Sequence, residues 1–465
     1  MAQAVELRSE DVLQELGEPL RGKLIQPGDP GYDEARSLYN GMIDKRPRLI
    51  ACCRDVADVM TAVNFGREHE LDLAVCGGGH NGPGLGSVDD GLVIDLSPMR
   101  GVRVDAEART AQVAGGALLG DFDHAAHAFG LATPAGIIST TGVGGLTLGG
   151  GLGHITRKYG LTIDSLLNVD VVLADGSFVT ASADREEDLF WAVRGGGGNF
   201  GVVTSFTFAL HPVHTVVAGP MFWELDDAAE VMRAYREFLP QAPEELNGFF
   251  AFLTVPPAPP FPEHLHGHKV CGVIWCHAGA PEELDGLLAP MRAVGSVVLD
   301  GLMPMPYPVI QSAFDALYPP GDQWYWRADH VKELPDEAIE KHVEFARALP
   351  TSQSTMHLYP IDGAVHRVGP DETAWRYRDA TWAEVIVGVD PDPARAGDLR
   401  DWTVAYWEAV HPYSMGGAYV NMMMEEGDER VRASYGDNYD RLARVKARYD
   451  PANLFHVNQN IRPAS

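Results

Sequence analysis

Apolar positions along the chain fall into two patterns, helical spacing and short continuous runs. Val56, Val59, Met60 and Val63 recur on one helix face, predicting a helix over residues 55–68. The apolar run 71–75 that follows reads as a strand. It leads into Cys76-Gly77-Gly78-Gly79-His80-Asn81-Gly82-Pro83-Gly84, so the order is helix, strand, glycine turn. Residues without a Cβ let several backbone N–H groups point into one concavity, which suits a phosphate and leaves His80 at its rim.

Beyond the turn, Gly91-Leu92-Val93-Ile94-Asp95-Leu96 reads as a strand. Val102-Arg103-Val104 and Ala111-Gln112-Val113 read as a hairpin, and a helix over 118–129 closes the unit. The region 134–153 is too rich in glycine for an ordinary strand or helix. Its backbone is expected to lie against a large planar or anionic ligand, with hydroxyls from Ser139, Thr140 and Thr141. Asp184 and Glu187 resemble a capping box that opens a helix through Leu189, Phe190 and Val193, followed by a strand over 202–208. Gly196, Gly198 and Gly201 match G-x-G-x-x-G only formally. That fingerprint follows a strand and opens a helix, and here the order is reversed, which excludes a Rossmann nicotinamide site. No P-loop motif is present.

With 465 residues the chain is long enough for two domains, or for one domain carrying a large insertion. A net charge of −29 with no offsetting basic cluster argues against nucleic acid and against an anionic membrane. No run of about 18 apolar residues is available to span a bilayer. Residues 1–18 carry acidic side chains where an export signal needs a basic start and an apolar core, so the chain reads as soluble and cytoplasmic. Five cysteines, an odd number without framework spacing, fit a reducing compartment and no disulfide.

Several of these segments together carry a family resemblance. The glycine-histidine turn, Gly142-Val143-Gly144-Gly145, Gly149-Gly150-Gly151-Leu152-Gly153 and Arg157-Lys158-Tyr159-Gly160-Leu161 resemble the FAD-linked oxidases of the berberine bridge enzyme-like group. That group lies within the vanillyl-alcohol oxidase and p-cresol methylhydroxylase superfamily. Asp188-Leu189-Phe190-Trp191-Ala192, residues 194–200 with Gly201-Val202-Val203-Thr204, and the tail Tyr449-Asp450-Pro451-Ala452-Asn453-Leu454-Phe455 with Asn458-Gln459-Asn460-Ile461 are similar to the same family.

The resemblance implies an α+β fold: a two-part FAD-binding domain of the p-cresol methylhydroxylase type with an inserted antiparallel-sheet substrate domain backed by helices. Its parts are residues 1–212, the substrate domain 213–414, and a returning segment 415–465. Strand-like runs at 270–275, 356–359 and 382–387 are available for the inserted sheet, and the proline-rich stretch 255–262 for a loop.

The cofactor contacts implied by the same resemblance are Gly77, Gly78, Gly79, His80, Asn81 and Gly82 at the turn, then Thr140, Thr141, Gly144, Gly145, Gly151 and Gly153, with Val203, Asn458 and Asn460. His80 matches the histidine that bonds covalently to the flavin. Ile138 occupies the place of a second, cysteinyl tether, and Leu146 that of a histidine common in doubly linked members, so the link would be single. Cys76 stands where relatives usually have arginine and supplies no fixed charge. Thr141 lies at a place associated with oxygen access, which leans toward an oxidase.

Such a site takes a hydride from a carbon bearing oxygen or nitrogen in a small molecule, with a base taking the heteroatom proton and oxygen as acceptor. The family's tyrosine base is expected in a Tyr-x-Asn-Tyr sequence, but here the stretch is Tyr419-Val420-Asn421-Met422, and Met422 cannot act as a base. Tyr419, Asn421, His357 with Tyr359, Glu384, and Tyr325 with Arg327 are the remaining candidates. A flavin dehydrogenase with another acceptor and a flavin-binding protein without turnover stay open as alternatives. His264, His266 and His268, which alternate as on a strand face, and Asp123, His124 and His127, which share a helix face, could in principle hold a metal; the family needs none.

Overall fold

The computed structural model describes residues 10–465; of the stretch 1–18 read above, residues 1–9 lie outside the described residues. Asp55 caps the first long helix, Val56–Glu68, by accepting hydrogen bonds from the N–H groups of Ala57 and Asp58. Val59, Ala62 and Val63 turn inward from it. Three parallel strands follow in space, Leu49–Cys52, Leu92–Asp95 and Leu73–Cys76, with Lys23–Ile25 antiparallel at the edge. The last of them delivers the glycine-histidine turn.

A second sheet is antiparallel, in the order Val102–Asp105, Thr110–Ala114, Val202–Ala209, Leu166–Val172, Phe178–Ser182. The predicted hairpin and the helix Leu119–His127 are both present. The third sheet, of eight strands, is wholly antiparallel and is built from residues 215–390. Lys269–His277, Leu246–Thr254, Thr355–Pro360 and Trp382–Asp390 run side by side within it, and Gln323–Val331 forms one edge, paired with Trp382–Asp390. One face of this sheet packs on the helices Ala228–Phe238, Asp336–Arg347 and Ala396–Val410 through Val231, Tyr235, Ile339, Tyr406, Met356 and Ile386. The other face turns toward the glycine-rich regions. The fold is therefore α+β, with an antiparallel sheet backed by helices.

Four local expectations need correction. The glycine-rich region does contain a helix, Val143–Gly149. A helical glycine costs about 1 kcal/mol relative to alanine, but here Val143, Gly144 and Thr147 are buried and tertiary contact overrides propensity. The helix Glu187–Ala192 has no capping box. Glu186, with positive φ, precedes it without a side-chain cap, and Asp184 instead accepts from the Ser182 hydroxyl. The histidines His264, His266 and His268 sit on no strand, since Glu263–Leu265 is a single 3₁₀ turn. Asp123 is buried while His124 is exposed, so those two do not share a face toward one ligand. Among the described residues no three His, Cys, Asp or Glu side chains converge, and no helix is long and apolar enough to cross a membrane.

The eight-stranded sheet is anchored over the glycine-rich half by Arg157. Its Nε donates to Asp362 Oδ1 at 2.7 Å and its Nη2 to Oδ2 at 3.3 Å. The carbonyls of Ala242, Pro243 and Leu246 take the remaining N–H groups. The tail returns to the first half in a comparable way. Lys446 Nζ is fully buried and donates to Asp450 and to the carbonyls of Asn199 and Phe455.

Candidate functional site

A large cavity lies where the glycine turn, the helix Val143–Gly149, the loop 197–203, the tail at Asn458 and Gln459, and the open face of the eight-stranded sheet meet. Its volume is about 320 Å³, within the roughly 300–1,000 Å³ of an ordinary small-molecule pocket. Its floor is glycine because backbones touch there. A Cβ on Gly78 would collide with the backbone of Gly142, and one on Gly142 with that of Gly78, so turn and helix meet without side chains between them. Gly145, by contrast, has nothing within 4 Å of where its Cβ would be, and that open volume belongs to the cavity.

His80 stands at the rim. Its ring stacks on Tyr39 at 3.9 Å and 17°. Nε2 lies 3.0 Å from the Thr140 hydroxyl and Nδ1 3.4 Å from that of Thr141. Burial lowers its pKa to about 4, so the imidazole is neutral at ordinary pH. One ring nitrogen therefore keeps its lone pair, shared at most with a threonine hydroxyl. Cys76 is held as a thiol, burial pushing it up to about 12, and brings no charge to the turn.

Of the other predicted contacts, Gly77, Gly79, Asn81, Thr141, Gly144, Val203 and Asn458 line the cavity. Asn458 Nδ2 donates to the carbonyl of Gly198, which holds the tail against the loop. Gly82, Gly151 and Gly153 do not line it. They are glycines because Trp326, Thr162 and the Ala135 carbonyl, respectively, occupy the place of a Cβ. Asn460 is also absent from the lining, and its Oδ1 is buried without a partner.

The base candidates separate by strand register. On Thr355–Pro360, His357 and Tyr359 both line the cavity, and His357 Nδ1 lies 2.7 Å from Tyr359 Oη. Burial lowers the His357 pKa to about 3 and raises that of Tyr359, so the pair is neutral. Tyr419 lines it too. Its oxygen accepts from the Gly151 N–H and from Asn421 Nδ2, both at 2.8 Å, which leaves its own proton free to donate. Burial pushes that hydroxyl up to about 12 and keeps it protonated.

Glu384 and Tyr325 are on the wrong face. Glu384 points among the helices, 3.7 Å from His342, where burial first and Asp329 second push its carboxyl well above the usual carboxylate range. Tyr325 lies under the Arg327 guanidinium, itself paired with Glu426 at 3.4 Å. Alternation instead brings Trp324 and Trp326 to the cavity, with Val385 and Val387 on the neighbouring strand. Sequence reading passed over these four and Tyr39. The Trp-x-Trp spacing was the available signal, but nothing in it said which face would be covered.

The geometry suits a dinucleotide with a planar end: a side-chain-free floor, open volume at Gly145, a neutral imidazole at the rim, and a roof of rings above. Comparison with known proteins points the same way. Residues 47–182 match the family model described as FAD binding domain, and residues 418–462 the one described as Berberine and berberine like. An uncharacterized FAD-linked oxidoreductase of Bacillus subtilis is 32% identical, over 96% of this chain and 97% of its own. The (R)-6-hydroxynicotine oxidase of Paenarthrobacter nicotinovorans is 31% identical, over 96% of this chain and 97% of its own. The crystal structure of 6-hydroxy-D-nicotine oxidase from Arthrobacter nicotinovorans superimposes with a TM-score of 0.85 at 26% identity, covering 96% of this chain and 98% of that one.

Proposed function

The chain belongs to the FAD-linked oxidoreductases of the berberine bridge enzyme-like group, and on that premise we propose that it is an oxidase acting on a small organic alcohol or amine, its FAD joined covalently to His80 alone. In this reading the chain divides at residues 212 and 414, the stretch 213–414 serving as the substrate domain. One observation carries the reading: a neutral imidazole at the rim of a glycine-floored cavity, with threonine hydroxyls at both ring nitrogens. A neutral ring is the nucleophilic form, and Ile138 leaves no second thiol for a tether.

When bound, FAD supplies a two-electron acceptor for hydride, which oxygen then empties as hydrogen peroxide. The side chains do the rest. His357 and Tyr359 receive the proton of the substrate heteroatom as its neighbouring C–H is lost. Tyr419, kept as a phenol, donates a hydrogen bond into the cavity, and Asn421 fixes its orientation through Nδ2, which also donates to the Leu146 carbonyl at 3.0 Å. Thr141, small and beside His80, leaves room for oxygen.

Acid-precipitated protein is expected to stay yellow, whereas the His80→Ala protein treated identically loses its colour; colour retained by the variant refutes the link. Photoreduced enzyme is expected to reoxidise rapidly in air-saturated buffer. If it stays reduced, the acceptor is not oxygen and the protein is a dehydrogenase. If no small alcohol or amine bleaches the flavin anaerobically, it is a flavin-binding protein without turnover.

A further inference from the structure

Among all the residues that line the cavity there is no aspartate, glutamate, lysine or arginine. This follows from register. On the roof strands, Arg327, Asp329 and Glu384 occupy the alternate positions, on the face turned away from the cavity: Arg327 pairs with Glu426, Asp329 with Arg430, and Glu384 is buried 3.7 Å from the helix side chain His342. Asp315, next in the chain to the lining residue Phe314, is taken by the N–H and hydroxyl of Ser139. Left facing the space are Trp324, Trp326, Tyr318 and Phe314, with Val385 and Val387. The rings pack on one another: Tyr39 and Tyr318 each approach Trp324 at 5.3 Å, and Trp326 meets it edge-on at 5.9 Å. Polar groups on the roof are the indole N–H groups of Trp324 and Trp326, both buried without a partner, the Tyr318 hydroxyl, which donates to the Gln353 carbonyl, Thr355 and the His357–Tyr359 pair, and the Thr355 hydroxyl is already taken by the Phe252 carbonyl.

From this we infer that the substrate is a compact, uncharged aromatic molecule whose oxidisable C–H sits beside a hydroxyl or free-base amine that meets the His357–Tyr359 pair. The inference rests on the oxidase reading and narrows it. A sugar would bring a hydroxyl on nearly every carbon of each ring against a roof made largely of ring faces and the Val385 and Val387 side chains, and each hydroxyl left unpaired weakens binding. A carboxylate would meet no cation inside and a strongly acidic chain outside. An ammonium would be desolvated with no counter-charge, so an amine enters as the free base. In the reaction the substrate loses one hydrogen as hydride to FAD and one as a proton to the His357–Tyr359 pair, becoming a carbonyl or imine, and oxygen leaves with both electrons and two protons as hydrogen peroxide.

The test uses the holoenzyme and the perturbation of its flavin absorbance, which reports binding whether or not turnover follows. The probes are 4-methoxybenzyl alcohol, benzylamine, mandelate and cellobiose. The aromatic alcohol is expected to bind at least about tenfold more tightly than mandelate or cellobiose, a difference of about 1.4 kcal/mol. Benzylamine is expected to tighten about tenfold per pH unit as pH rises toward the amine's own pKa. Comparable or tighter binding of mandelate or cellobiose, pH-independent binding of benzylamine, or no detectable binding of the alcohol overturns the inference. Failure of bound probes to bleach the flavin overturns the oxidase reading instead, so the two are separable. Val387→Arg, which places a cation in the roof, is expected to reverse the order of mandelate and the aromatic alcohol. If that variant does not fold, the wild-type series still decides.

Discussion

The Arg157–Asp362 clamp sets how firmly the roof sits over the cavity, and Asp362→Asn tests it. Both side chains are almost wholly buried, at 2% and 8% exposure. All five guanidinium N–H groups are placed, two on the carboxylate and three on carbonyls. Asparagine keeps an acceptor near Nε but turns an amide toward Nη2 and removes the counter-charge. Breaking one side of a buried pair costs about 3–5 kcal/mol, and the three carbonyl dipoles that remain put the expected loss near the lower end, about 3 kcal/mol. Urea unfolding followed by tryptophan fluorescence and by far-ultraviolet circular dichroism would read this as a midpoint shift of about 1 M or less, given slopes of about 3 kcal/mol/M or more for a chain this long. The double variant Arg157→Met/Asp362→Leu removes both charges and is expected to recover part of the loss. A single-variant loss below about 1 kcal/mol, or a double variant no better than the sum of the two single variants, refutes the clamp.

Tyr359→Phe deletes the hydroxyl that meets His357 and is expected to lower the rate of flavin reduction about 10²–10⁴-fold, with flavin content unchanged; an unaltered reduction rate would remove the pair from proton transfer. Gly145→Val fills the open volume and is expected to leave circular dichroism unaltered while abolishing flavin incorporation, measured as the ratio of visible to protein absorbance. Stability has a defined acid dependence. Burial holds His80 and His154 down to about 4 and His330, His342 and His357 down to about 3, whereas unfolded histidine protonates near about 6.5. Between about pH 6.5 and 4 the unfolded chain thus binds more protons than the native one. Stability should fall as pH drops, by up to about 1.4 kcal/mol per pH unit for each such histidine. A melting temperature flat across that window would show that these rings are not buried neutral.

How much of this was legible in the sequence depended on what each residue's role requires. The glycine turn and His80 were readable because only glycine permits the contact between Gly78 and Gly142, and such a requirement leaves its mark in composition. The same logic does not separate Gly78 from Gly82, Gly151 and Gly153, which are outside the cavity lining although a protein group likewise excludes a Cβ at each. Alternation correctly paired His357 with Tyr359, but it could not tell which face of Trp382–Asp390 or Gln323–Val331 would be covered by helices. Glu384 and Tyr325 were therefore chosen over Val387 and Trp326. Polarity suggested function, while the register committed those polar side chains to the back of the sheet. The helix Val143–Gly149 was invisible for a related reason: its support comes from packing partners distant in sequence, not from its own residues.

The tail has a consequence in the order of synthesis. Asn458 and Gln459 form part of the cavity wall, and Lys446 is buried against Asp450, Asn199 and Phe455. A nascent chain that has already emitted the glycine turn and both glycine-rich regions still lacks one side of the pocket until residues 458 and 459 have been made. A product cut short before residue 446 lacks that wall, and its flavin content, read as visible absorbance, is expected to fall however well its sheets form.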